Sequence, residues 1–366
     1  MKRCFVALSI VLGFASGHSR ADIMIGAAGP LTGQYAYLGD QMKAGAEQAV
    51  KNINAKGGIN GQMLQLELAD DACDPKQAVA VANKFAGEKV AFVAGHVCSS
   101  ASIPASSVYA ESGIIMISPA STNPKLTEER PGPGVFRVCG RDDQQGEVAG
   151  KFLYDQFNGK KIAFIDDKTA YGRGLAEATR VRFERLGGKA ALVESYTAGE
   201  KDYYALVSKL KQAGADALYI GGYAPEVGLI VRQMRDQQSK TVAVSGDGIA
   251  TADYWAIAGA AGEGTFFTFS PDPRKNPEAK SVVSELNEAG KTAENYTLYT
   301  YAAIQVWAQA VASAGSSDFK PVVNSLNKGT FDTVLGQLRF DHKGDVSLPG
   351  YVVYQWHGGN YDYYNK

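Results

Sequence analysis

Apolar and polar positions along the chain alternate between two periods, one near two residues and one near 3.6. Ile23 to Ala28 is a strand-like apolar run ending at Gly29-Pro30. Met42, Ala46, Ala49, Val50 and Ile53 then recur at helical spacing until Gly57-Gly58 stops them. Leu64, Leu66 and Leu68 alternate with Gln65 and Glu67, the mark of a half-buried strand. Ala78, Val79, Ala82 and Phe85 predict a helix, Val90 to Val97 a strand, and Ile114 to Ile117 another. Val135 to Cys139 continues the strand pattern, with Cys139 expected in the core.

The pattern breaks near Gly140 to Gly146 and then restarts. Lys161 to Ile165, Ala191 to Val193, Ala217 to Ile220 and Val242 to Val244 predict strands. Between them, Leu175, Ala178, Phe183 and Leu186, then Tyr203, Leu206, Val207 and Leu210, then Val227, Ile230, Val231 and Met234 predict helices. Strands separated by helices of roughly ten to fifteen residues signify βαβ units and parallel sheets. Two such series imply two similar α/β lobes. The last hundred or so residues carry helices over 278–289 and 301–314 and a strand over 351–356. That is too little for a third domain, so they are expected to add to the existing lobes and carry the chain between them more than once.

A chain of 366 residues is long enough for about two domains and needs no metal or cystine merely to fold. With 37 Lys+Arg against 38 Asp+Glu, it lacks the basic excess of a nucleic-acid-coating protein. Ordinary hydrophobicity and the lack of like-charge blocks exclude a disordered acidic protein. Residues 1–21 read as a secretory signal: basic Lys2 and Arg3, an apolar stretch from Cys4 to Gly17, and small Ser19 and Ala21 flanking a cleavage point before Asp22. Cys4 lies inside the apolar stretch rather than at the cleavage point, which argues against lipid anchoring. An exported chain keeps Cys73, Cys98 and Cys139, an odd number. Cys73 and Cys98 both follow strand-like runs and are the favoured pair.

Enzymatic groups are scarce. The chain has no Walker-type phosphate loop, no Gly-x-Gly-x-x-Gly after its first strand, no His-Glu-x-x-His and no Gly-x-Ser-x-Gly. His96 and Cys98 stand at strand spacing and could act as base and nucleophile, but a cystine competes for Cys98. Asp70, Asp71 and Asp74 could face a cation, yet they lack the glycine and terminal glutamate of a calcium loop. Polar chemistry gathers instead at the carboxyl ends of strands, where doubly wound sheets bind ligands. One such loop carries Cys98-Ser99-Ser100, with Pro104 expected in the first helical turn; another carries Ala120, Ser121 and Thr122. Hydroxyls and backbone N–H groups without Arg or Lys suit a small carboxylate; ordinary helix capping is the alternative. The second series offers Tyr171, Tyr223 after Gly221-Gly222, and Asp247 between Gly246 and Gly248. A carboxylate flanked by glycines can approach an ammonium closely, and a turn role is the alternative there.

At these residues the chain resembles the periplasmic leucine/isoleucine/valine-binding proteins. The resemblance spans essentially everything after residue 21. It is densest at Gly45–Val50 with Ile53–Ile59, at Asp70–Val79, at Gly95–Ser100, at Thr197–Asp202, at Gly221–Tyr223 with Pro225-Glu226, and at Thr300–Ala303. It implies the α/β type I periplasmic binding fold: two doubly wound parallel-sheet lobes joined by a three-crossover hinge. Residues 22–141 with 272–349 would form one lobe, and 142–271 with 350–366 the other. It also implies a Cys73–Cys98 cystine, no cofactor or metal, and a periplasmic monomer that delivers an amino acid to the membrane permease of an ABC transporter. Carried over by position, Ser99, Ala120 and Thr122 would hold the α-carboxylate and α-ammonium, with Ser121 beside them. Asp247 would pair with the ammonium where relatives carry Glu, Tyr171 and Tyr223 would close from the second lobe, and Val97 and Tyr296 would line the side-chain pocket. Leu38 stands where relatives have Tyr. Withdrawing the carboxylate by one methylene leaves branched-chain, small neutral and γ-amino acids as ligand classes. The competing functions are an exported sensor of such molecules and an exported hydrolase or amidase.

Overall fold

The computed structural model describes residues 22–347 and 350–364. The expected signal, residues 1–21, lies outside the described residues. β1 (Ile23–Gly29), β2 (Leu64–Asp70), β3 (Phe92–Gly95), β4 (Ile115–Ser118) and β5 (Val135–Arg137) form a parallel sheet in the order β2-β1-β3-β4-β5. β6 (Ile162–Asp166), β7 (Ala190–Ser195), β8 (Ala217–Gly221), β9 (Val242–Ser245) and β10 (Phe266–Phe269) form a second parallel array in the order β7-β6-β8-β9-β10. After a small hairpin of β11 (Phe331–Thr333) and β12 (Gly336–Leu338), β13 (Val352–His357) joins β10 antiparallel and β14 (Asn360–Tyr363) pairs with β13. Strand order reverses between β1 and β3 in the first sheet and between β6 and β8 in the second. Such switch points open a crevice at the strands' carboxyl ends.

The first sheet is covered by α1 (Ala36–Ala55) on one face and by α2 (Pro75–Glu88) with α3 (Ser99–Ser112) on the other, followed by the short α4 (Lys125–Glu128). α2 starts sharply because Asp74 accepts from the Lys76 and Gln77 N–H groups and Pro75 sits in the first turn. The second sheet carries α5 (Asp142–Gln156) and α6 (Ala170–Arg185) on one side, and α7 (Tyr204–Ala213), α8 (Ala224–Asp236) and α9 (Ala252–Ala258) on the other. The chain then returns through α10 (Lys280–Glu288), α11 (Thr297–Ala314) and α12 (Phe319–Lys328). α11 packs on α1 and β3, with Trp307 stacked on Phe92 at 4.9 Å. Passages between the sheets therefore follow β5 and β10 and precede β13.

Several local expectations change. Pro104 is not in the first turn of α3: the helix starts at Ser99, so the proline sits inside it and removes one backbone bond. Cys139 is a buried free thiol, but it lies two residues beyond β5 rather than within it. α5 fills the apparent break after Gly140; Gly146 and Gly150 let it pack against α6, where a Cβ would collide with Ala178 and with Arg182. α9, β10 and β14 carry no strong periodic signal in the sequence; α12 is an unanticipated helix, although Phe319, Val322, Val323 and Leu326 recur at helical spacing. Cys73 and Cys98 are disulfide-bonded with Cα atoms 5.5 Å apart. Closing this 25-residue separation stabilises by about 3 kcal/mol in a chain-entropy account.

Candidate functional site

The loops after the two switch points meet around a small cavity lined by Leu38, Val97, Ser99, Ala120, Tyr171, Tyr223, Asp247, Gly248, Asn295 and Tyr296. The fold brings seven of the nine residues singled out from the sequence onto this one surface. Ser121 does not line it: its hydroxyl bonds the Val97 carbonyl at 3.0 Å and the Ser102 hydroxyl at 2.6 Å, which braces the loop from behind. Thr122 is fully buried beside the cavity, and its hydroxyl has no hydrogen bond of good geometry among the described residues. Gly248 and Asn295 escaped the sequence reading. Each stands next to a residue it did single out, but an asparagine at a helix entrance carries no distinguishing signal.

On the first-sheet side, α3 begins without a side-chain cap, so its first-turn N–H groups keep their partial positive charge. Ser99 accepts from the Asn123 N–H at 3.2 Å, tying that helix start to the Ala120–Asn123 loop. The loop is further clamped by Arg137, which is fully buried and donates to the carbonyls of Ser121 at 2.7 Å and Asn123 at 2.9 Å. On the opposite side stands Asp247, 2 % exposed. One of its oxygens accepts from the Tyr171 hydroxyl at 3.0 Å and the other from the Tyr296 hydroxyl at 2.5 Å. Burial pushes its carboxyl above the ordinary range, and the phenol hydrogen bonds oppose that shift. Among the described residues no Lys or Arg lines the cavity. One end thus offers neutral donors and a helix N-terminus, the other a carboxylate, and aromatic and aliphatic walls lie between.

Contacts between the two halves surround this cavity. Asn123 donates to the Ala170 carbonyl at 2.6 Å, and the Ala170 N–H donates to Ser100 at 3.1 Å. Tyr35 packs on Tyr223 with ring centroids 4.8 Å apart and donates to Glu226 at 3.3 Å. Glu294 accepts from Thr251 and from the Ala252 N–H at the start of α9. The cleft is therefore closed by hydrogen bonds that ring the cavity.

The other candidate clusters are occupied structurally. Asp70 accepts from Leu31, Thr32 and Ala72, Asp74 caps α2, and Asp71 bonds buried His96 at 2.5 Å. His96 is held on its other nitrogen by Tyr109 at 2.9 Å, and Cys98 is in the cystine, so the pair cannot serve as base and nucleophile. Among the described residues no group of three or more His, Cys, Asp or Glu is arranged to hold a metal ion.

Asp167, behind Tyr223, is buried with one oxygen unpartnered, while the other accepts from the Thr169 N–H and hydroxyl. Desolvation, aided by the Glu226 charge, pushes its carboxyl up to about 7. The folded chain thus holds a proton that an unfolded chain releases near pH 4. This contribution to stability is complete below pH 4 and is lost as pH rises through 7. Asp167→Asn, which keeps an acceptor for Thr169, is expected to stabilise by about 1–2 kcal/mol at pH 8 and by almost nothing at pH 4. Thermal melts at the two pH values check this; an equal shift at both would exclude the proton linkage.

Two α/β lobes around a small, charge-asymmetric cavity define a solute-binding protein of the periplasmic type. A family model described as "Periplasmic binding protein" matches residues 22–360, and the chain belongs to that family. It is 51% identical over 361 residues to a Leu/Ile/Val-binding protein homolog 1 of Brucella suis, covering 98% of this chain and 97% of that one. An amino acid binding protein of Pseudomonas aeruginosa is 48% identical over 354 residues, covering 96% and 94%. Among solved structures, a leucine binding protein from Thermotoga maritima superposes with a TM-score of 0.85 at 29% identity, covering 94% of this chain and 98% of the other. A branched-chain amino acid transporter substrate binding protein from Streptococcus pneumoniae, in complex with isoleucine, gives a TM-score of 0.85 at 25% identity, covering 93% and 98%.

Proposed function

We propose that this protein captures one small amino acid between its lobes and hands it to the membrane permease of an ABC transporter. The observation that carries the reading is Asp247: a buried carboxylate at one end of a cavity lined by no basic side chain. Such a group calls for a cationic partner, because an isolated buried charge is costly. The ligand's ammonium would pair with Asp247, and its carboxylate would lie at the start of α3 near Ser99 and the Ala120–Thr122 loop. Val97, Leu38 and the aromatic faces of Tyr223 and Tyr296 would receive the side chain. Tyr171 and Tyr223 would arrive with the second lobe as it closes.

The Brucella and Pseudomonas relatives support an amino-acid ligand by their names, and the isoleucine complex supports a branched-chain one. The shorter Asp247 and the modest cavity equally fit small neutral and γ-amino acids. In this reading residues 22–141 with 272–349 and residues 142–271 with 350–366 move as two lobes. The signal-like residues 1–21 direct export, and the protein works as a periplasmic monomer without turning its ligand over. A thermal-shift screen of the amino acids plus γ-aminobutyrate tests the function directly. A ligand at a hundred times its Kd is expected to stabilise by about 2.7 kcal/mol. No shift with any of them would leave the fold standing and remove the function.

A further inference from the structure

Three consecutive residues of one half reach across the cleft to one short segment of the other. Glu294, Asn295 and Tyr296 immediately precede α11, which packs on α1 and β3. Facing them is the segment from Asp247 to Ala252, which runs from the end of β9 into α9. The Tyr296 hydroxyl donates to the Asp247 carboxylate at 2.5 Å, and the Asn295 amide donates to the Asp247 carbonyl at 3.4 Å. Glu294 accepts from the Thr251 hydroxyl at 3.2 Å and from the Ala252 N–H at 3.3 Å. Asn295 and Tyr296 line the cavity, whereas Glu294 lies half-buried at its rim. Thr251, its partner, is fully buried and is approached from α1 by the Gln41 amide at 3.5 Å.

Both sides of this contact are held firmly by their own halves. A Cβ on Gly45 of α1 would come within 2.2 Å of the Thr297 carbonyl oxygen, so α1 lies directly against the start of α11. A Cβ on Gly248 would come within 2.6 Å of the Gly222 carbonyl oxygen, which seats the facing segment on the loop after β8. Asn295 adopts a φ of 40°, a left-handed conformation that asparagine tolerates. The chain turns there, between a carboxylate at the rim and a ring in the cavity. A charged acceptor that takes two donors outweighs the neutral contacts of Asn123 and Ser100 with the Ala170 backbone. Asp253 also accepts from Thr251, at 3.0 Å, so that hydroxyl keeps a partner when the cleft opens, whereas the Ala252 N–H must turn to water.

We propose that Glu294 is a positioning residue that sets affinity without touching the ligand: it bolts the closed cleft, and every ligand shares the same bolt. The inference rests on the amino-acid reading above and deepens it. A ligand that binds only the closed form has its affinity scaled by the fraction of ligand-free protein that is closed. Contacts made only on closure raise that fraction, and removing one lowers it by the same factor whichever ligand is present. Strength of binding is thereby assigned in part to the rim, and choice of ligand to the cavity. The ligand enters the open form and the bolt forms afterwards, so its loss appears in the dissociation rate.

The test uses the full exported chain as wild type, Glu294→Ala and Glu294→Gln, with L-leucine, L-alanine and γ-aminobutyrate as probes, followed by calorimetry and stopped-flow fluorescence. Glu294→Ala is expected to weaken every probe that the wild type binds by about five- to thirtyfold. The factor is the same for each probe, and it lies in faster dissociation with association within about twofold of wild type. Glu294→Gln keeps an acceptor for both donors and falls between the two. The ligand-free melting temperature stays at the wild-type value, which separates a bolt on the closed form from a general structural role. Affinity of the alanine variant within about twofold of wild type overturns the bolt and leaves the amino-acid reading intact. So does a loss that differs more than about tenfold between probes, or one matched by an equal loss of ligand-free stability. A wild-type protein that binds none of the probes overturns both.

Discussion

Arg137→Met is expected to destabilise the protein by about 3–5 kcal/mol, the cost of breaking a buried ion pair from one side. Arg137 is fully buried and its Nε meets Asp345 at 2.6 Å, while its other nitrogens hold the carbonyls of Ser121, Asn123 and Pro124. Methionine fills similar volume but removes the Arg137 donors, so the Asn123 carbonyl keeps only the Leu126 N–H and the Pro124 carbonyl only the donors of Thr127 and Glu128. Asp345 would keep Arg141 as its one cation, donating to its second oxygen at 2.7 Å, and the Thr127 hydroxyl at 2.9 Å. Burial opposes ionisation of Asp345, yet the Arg137 charge and the Arg141 hydrogen bond win and hold it below the usual carboxylate range. The associated stability is therefore present above about pH 4 and lost as pH falls through that lowered value. Thermal unfolding at pH 7 reads the effect as a drop of roughly 5–10 °C. A drop under about 2 °C would show that the clamp is not an important part of the fold. Because the same guanidinium shapes the Ala120–Asn123 loop, ligand affinity is expected to fall with stability.

Asp247→Ala is expected to weaken amino-acid binding by about 3 kcal/mol, more than a hundredfold, while leaving the ligand-free protein folded. The loss comes from an ammonium left desolvated without its counter-charge. Two tyrosine hydroxyls, one from each lobe, would also lose their shared acceptor, since Tyr171 and Tyr296 both donate to this carboxylate. Closure should thus suffer along with contact. Asp247→Asn separates the two effects: it keeps an acceptor and the shape, and loses the charge. Isothermal titration of wild type and both variants decides the matter, and unchanged affinity in the alanine variant would remove Asp247 from the site.

The elements that the sequence made legible are those with a regular apolar period. β1, β6 and β8 coincide with apolar runs because their residues face helices on both sides, so the run itself is the strand. β2, at the sheet edge, shows instead as an alternation of Leu64, Leu66 and Leu68 with Gln65 and Glu67. α5 was hidden because Gly146 and Gly150, which resemble a linker, are there to bring its backbone against α6. β10 was hidden because its antiparallel partner β13 comes from a distant part of the chain, and β14 because it is a short, largely polar edge strand that pairs only with β13. In the site, Asp247, Ser99 and the tyrosines stood out by their place at strand ends. Asn295 did not, since nothing local distinguishes an asparagine before a helix.

What the sequence determined by itself is the α/β alternation, the duplication of the series and the set of polar groups at the strand ends, because period and turn chemistry are local properties. Only the tertiary structure decided which of those groups share one cavity. It turned the Ser121 hydroxyl into the loop and joined Asp247 to Tyr296 across the lobes. Burial and desolvation depend on residues more than a hundred positions away, so the charge state of a carboxylate is a property of the closed cleft and not of its neighbours in the chain.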